Sequence, residues 1–75
     1  MRDDVLGLTA TTLSPIHGSG RPGEILVAVR GATETYIAFA DEPIAKDETV
    51  LIVSVRPGRQ VDVVPWSAEL TPPKL

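Results

Sequence analysis

Glycine and proline interrupt this chain so regularly that it has no room for a long helix. Six glycines and seven prolines, thirteen in all, fall between apolar runs instead of gathering in one linker. Each is a natural end for a helix or strand. No apolar period of 3.6 residues is sustained over about ten residues, and the pieces between breakers are rich in valine, isoleucine and threonine. Short pieces of that composition are strands.

Five such pieces follow one another. Residues 8–13 are threonine-rich and lie between Gly7 and Ser14-Pro15. Residues 16–23 hold three glycines and a proline and are expected to form a flexible loop. In residues 24–30 the alternation sets Ile25, Val27 and Val29 on one face. Gly31-Ala32 then turns the chain back into residues 33–40 as an antiparallel hairpin. There Thr35, Ile37 and Phe39 share a face, with Phe39 expected in the core, opposite Tyr36, Ala38 and Ala40. Residues 41–47 read as an ordered turn or a single helical turn. Residues 50–55 are apolar on both faces apart from Ser54, which suits a central strand of a barrel or one covered on both sides. Arg56-Pro57-Gly58-Arg59 suits a type II turn. A last strand follows, with Val61, Val63 and Pro65 alternating with Gln60, Asp62 and Val64, and Pro65 ends the ladder.

The expected fold is therefore all-β: a five-stranded meander closed into a small barrel of the OB type, or the related SH3 type, which hides its edges with few residues. The expected division is an N-terminal linker over residues 1–6, the barrel over 7–66 and a frayed C-terminal tail over 67–75. At 75 residues the chain makes one domain that buries only about 60% of its unfolded surface. It has no cysteine, so no disulfide supports the small core. A hydrophobic fraction of 43% against 23% charged residues is that of a folding chain. It has nothing near the roughly twenty unbroken apolar residues of a membrane span, and the acidic start Met1-Arg2-Asp3-Asp4 is no signal peptide. By itself the chain is expected to be soluble, as a piece of a longer membrane protein would also be.

The chemical motifs are thin. Gly18-Ser19-Gly20-Arg21-Pro22-Gly23 spells a dinucleotide-binding fingerprint, but a strand follows it where that motif needs a helix N-terminus. His17 is the only histidine, and Ser14 and Ser19 share its glycine-rich loop, which is a poor frame for a nucleophile and base. One histidine with scattered carboxylates makes neither a zinc set nor a calcium loop. The acid pairs Asp41-Glu42 and Asp47-Glu48 read as solvated turn charge. Neither enzyme activity, nor a cofactor, nor a metal is expected. Single-stranded nucleic acid is the competing ligand, because OB barrels stack bases on aromatics in basic grooves. Tyr36 and the turn arginines Arg21, Arg30, Arg56 and Arg59 could serve such a role. The net charge of −3 opposes it. Trp66 either plugs the end of the barrel or offers an aromatic anchor to a partner. Tyr36, Trp66, Arg56 and Arg59 are the candidate partner-binding residues.

The order of these pieces resembles a known family. Gly7-Leu8-Thr9-Ala10-Thr11-Thr12-Leu13-Ser14-Pro15 is similar to the opening of the C-terminal soluble domain of NfeD-like proteins. Gly23-Glu24-Ile25 resembles that family's second-strand start, and Tyr36-Ile37-Ala38 its aromatic-x-Ala step. Ile44 with Val50, Ile52 and Val55 resembles its fourth-strand stretch, and residues 58–65 its closing Gly-x-x-Leu-x-Val-x-Pro. Asp47 stands where the family usually has glycine, and the loop over residues 16–22 is longer than usual. The resemblance implies a five-stranded OB barrel tethered behind transmembrane helices that lie outside this chain. It implies a non-enzymatic interaction or assembly module that works with stomatin- or flotillin-like membrane scaffold proteins. The domain is then expected on the cytoplasmic side, with no preference for nucleic acid.

Overall fold

A computed structural model of the protein describes residues 5–66, in which five strands and no helix occur. The strands are β1 (Thr9–Thr12), β2 (Gly23–Val29), β3 (Ala32–Phe39), β4 (Thr49–Arg56) and β5 (Gln60–Pro65). They close in the order β1-β2-β3-β5-β4, with β4 returning to β1. The all-β class and the small OB-like barrel are as the sequence predicts. The meander is not: β3 pairs with β5, in parallel, while β4 crosses to sit between β5 and β1. Placing β4 there pairs both edges of the most apolar strand, and no strand edge of the barrel is wholly open.

Alternation puts Ile25, Val27, Val50, Ile52, Val61 and Val63 inside, each at most 3% exposed. The hairpin register explains β3. Val29 faces Ala32 across a two-residue turn at Arg30 and Gly31, which have φ of 52° and 82°. Positive φ at both central residues matches the right-handed twist of the strands. The turn thus begins one residue earlier than the sequence suggested, and Ile25 comes to lie opposite Tyr36 and Gly23 opposite Ala38. Cross-strand partners share a face, so Tyr36 and Ala38 point inward while Ile37 and Phe39 point outward. The expected core position of Phe39 is therefore corrected: Ala38 is fully buried, and Phe39 is only half-buried.

The physical reason lies at Gly23. A Cβ there would sit 2.5 Å from the Pro15 carbonyl oxygen, because the chain between β1 and β2 crosses directly over this part of the barrel. Small residues on the inner face make room for that crossing. The crossing chain is also ordered. Ile16 and Ile44 exchange two backbone hydrogen bonds of 2.8 Å, and both side chains are buried. Gly18 is buried against Asp41 and Glu42. The tip at Ser19 and Gly20 is an exposed tight turn closed by the Arg21 amide donating to the Gly18 carbonyl. The expected flexible loop is thus a strap stitched to the loop between β3 and β4.

In β4 a bulge falls at Val53, between the pairs Ile52–Val63 and Ser54–Asp62. It switches the inward set from Val50 and Ile52 to Val55, which is why the strand reads as apolar on both faces. On its outer face Val53 is 47% exposed. At the N-terminal end, Val5 is 1% exposed and packs in the core, so the barrel begins inside the stretch expected as a linker. The expected tail, residues 67–75, lies outside the described residues.

Candidate interaction surface

The four residues singled out from the sequence do not form one site. Tyr36 faces inward on β3 and packs against the core, and its hydroxyl donates to Glu34 Oε1 at 3.2 Å. Arg59, with φ of 60° in the turn before β5, sets its guanidinium 5.4 Å from the Tyr36 ring centre. Its main chain also joins the barrel, since the Ile37 amide donates to the Arg59 carbonyl at 3.0 Å. Tyr36 and Arg59 together finish one end of the barrel. Trp66 stands at the other end of β5, where its amide donates to the Thr49 carbonyl at 3.0 Å and its residue is 47% exposed. A residue that exposed does not plug the end of the barrel.

Arg56 belongs to the outer wall. Its guanidinium lies 4.1 Å from the centre of the Phe39 ring. It also donates to both carboxylate oxygens of Asp62, from Nε at 3.1 Å and from Nη2 at 2.6 Å. The pairing arises from register: Asp62 lies beside Phe39 on one side and Ser54 on the other, two positions along from the Arg56–Gln60 pair. A planar cation that stacks on a ring and forks onto a carboxylate uses both of its recognition modes at once. The hydrogen bond to Asp62 raises the Arg56 pKa above its ordinary value; desolvation opposes this and the charge of Asp62 adds to it. Arg56 is therefore committed within the barrel wall.

The feature that sequence reasoning passed over is the outer face of β4 and β5. Val53 and Val64 are 47% and 41% exposed, and Trp66 follows just beyond. Next to them is an open groove of about 470 Å³, with Phe39, Ala40, Asp41 and Glu42 on one side and Val53, Val64 and Pro65 among the residues on the other. The signal was present in the two-faced apolar run of β4, but reading it required knowing that Val53 and Val64 are exposed on the outer face.

Among the described residues no three His, Cys, Asp or Glu side chains gather as a metal site would require. His17 is exposed on the strap, the Ser14 hydroxyl accepts the Glu24 amide at 3.0 Å, and no hydrogen bond joins the His17 and Ser14 side chains. The Gly18–Gly23 run leads into β2, so the geometry of a dinucleotide fingerprint is absent there. No helix of the described residues is long and apolar enough to cross a membrane.

Comparison with solved structures finds the soluble domain of the NfeD protein YuaF from Bacillus subtilis. It has a TM-score of 0.72 and 23% identity over 84% of this chain and 75% of that one, a likeness of fold. No protein of curated function matches. The family model of the NfeD C-terminal domain matches residues 9–64, from the first residue of β1 to the penultimate residue of β5. With that match reaching into all five strands and covering well over half of the chain, the chain belongs to the family of NfeD C-terminal domains.

Proposed function

We propose that this chain is a non-enzymatic protein-interaction and assembly module of an NfeD-like, membrane-associated protein. In this reading it serves a scaffold protein of the stomatin or flotillin class from the cytoplasmic side, held at the membrane by segments outside these 75 residues. The observation that carries the reading is the pair of exposed valines, Val53 and Val64, lining one groove, with Trp66 exposed beyond the end of β5, on a barrel whose family match reaches all five strands. Apolar side chains grouped on the outside of a small acidic domain are what a protein partner would cover.

The same geometry weighs against a single-strand nucleic-acid binder. Base stacking needs an aromatic face presented to solvent within a basic groove. Tyr36 is turned into the barrel, Arg59 lies over its ring, and Arg56 is spent on Phe39 and Asp62. Co-precipitation of the full-length protein with a stomatin- or flotillin-class scaffold from membranes tests the proposal. Recovery of the scaffold with the intact protein, and its loss when this domain is deleted, is the expected result. No recovery in either case would overturn it.

A further inference from the structure

The barrel wall is incomplete beside β5. The parallel pairing of β3 with β5 ends at Phe39–Asp62. Beyond it β3 turns away at Ala40, while β5 continues to Pro65 paired on one side only, with β4. Apolar Val53, Val64 and Pro65 line the groove with Ser54 and Asp62 on the side of β4 and β5, and Phe39, Asp41 and Glu42 line the other side. Both acids are exposed, and neither enters an ion pair among the described residues.

We propose that this groove is a docking slot for an extended partner segment in which aliphatic residues are flanked by lysine or arginine. The inference rests on the interaction-module reading and specifies the chemistry of the partner. An extended segment fits because the slot lies alongside a strand whose backbone is paired on one side, and its alternate side chains would meet the apolar lining residues. Proline at the end of β5 has no N–H to offer, so the added segment donates to β5 carbonyls without completing a full ladder. A basic flank fits because Asp41 and Glu42 form no ion pair among the described residues and the chain as a whole is at −3. Charge also argues against a second copy of this chain. Self-complementary pairing through the groove would set the same two acids against their own counterparts.

The test is a fluorescence-anisotropy titration of the 75-residue protein with two extended decapeptides of the same valine and leucine pattern, one flanked by lysine and the other by glutamate. Amide shifts of the protein should be followed by NMR in parallel. The lysine peptide should bind saturably, shifting residues around 39–42 and 62–65. The glutamate peptide should bind at least about tenfold more weakly, and Asp41→Lys with Glu42→Lys should weaken the lysine peptide by a similar factor. Both substitutions are at exposed loop positions, and an unchanged Tm confirms that the barrel is intact. Equal binding of the two peptides, or shifts confined to other faces, would overturn the proposal. Self-association of the protein through the groove would also overturn it. So would binding that emerges only after residues 67–75 are removed, which would make the tail the occupant. The titration needs no scaffold protein. Its failure would leave the scaffold reading standing, whereas a lost co-precipitation with peptide binding intact would remove the scaffold alone.

Discussion

The hydroxyl of Thr12 accepts the backbone amide of Glu48 at 2.8 Å, and it donates to the Ala45 carbonyl at 2.7 Å. Thr12 is fully buried at the end of β1, and its own amide and carbonyl also bond the same turn, to the Glu48 carbonyl and from the Asp47 amide, both at 2.9 Å. One side chain thus replaces a missing stretch of ladder where the chain turns into β4. Thr12→Val keeps the shape and removes the hydroxyl, which strands a donor and an acceptor away from water. The expected loss is about 1–3 kcal/mol in chemical denaturation, with Thr12→Ser losing less. Equal stability of the valine variant and the parent would mean that water or a shifted turn supplies those bonds.

Phe39 and Ile52 should respond oppositely to what side-chain size suggests. Ile52 is 1% exposed in the core, so Ile52→Ala should cost about 2–5 kcal/mol. Phe39 is outside, half-buried beneath Arg56, and its removal opens no cavity in the barrel. Phe39→Ala should therefore cost less than Ile52→Ala. Thermal melts of the two variants side by side decide the point, and a larger drop for Phe39→Ala would put the ring back in the core.

Gly23→Ala should be among the most damaging conservative changes in the chain. Its methyl group would lie 2.5 Å from the Pro15 oxygen and 2.9 Å from the Ile16 side chain. The obstacle is backbone, so the strap must lift, and its Ile16–Ile44 bonds lift with it. A loss of about 1–3 kcal/mol or more is expected, together with faster amide exchange at Ile16 and Ile44. Exchange unchanged at those two amides would show that the strap is not held by this crossing.

An oligonucleotide titration should come out empty. With Tyr36 facing inward and Arg56 committed to Asp62, a fluorescent single strand at low salt should show no saturable binding at high micromolar protein. Saturable binding that weakened steeply with salt would restore the nucleic-acid reading and locate it on surfaces other than Tyr36.

What could be read from the sequence, and what could not, follows from the range of the physics involved. The alternation of Ile25 and Val27 is local, and it correctly sets the inner face of β2. The Pro57-Gly58 turn is local too, and Gly58 has the positive φ of 81° that such a turn needs. The inward turn of Ala38 instead of Phe39 depends on a strap passing over Gly23, which is a contact between distant segments. The bulge at Val53 depends on the register of β4 against β5. The parallel β3–β5 pairing, and with it the slot where that pairing ends, depends on which strands meet at all. Candidate residues chosen by type, the aromatics and arginines, therefore scattered over three places. The exposed valines that group together carried no distinguishing chemistry of their own.

Asp47 offers a last test, because its backbone has a left-handed φ of 68° at the position where the resemblance to the family expects glycine. Left-handed backbone costs most L-residues about 1–2 kcal/mol, and aspartate is one of the few that tolerates it. The turn here keeps the glycine conformation with a different residue, held by the Asp47 amide bonding to Thr12. Asp47→Gly removes the strain and keeps that bond, while the added freedom of the unfolded chain takes back part of the gain. A stabilisation below about 1 kcal/mol is expected. Asp47→Val, branched at Cβ in the same backbone, should lose about 1–2 kcal/mol. The two variants should move the denaturation midpoint in opposite directions. A glycine variant less stable than the parent would show that the aspartate side chain stabilises the turn by more than its backbone strain costs.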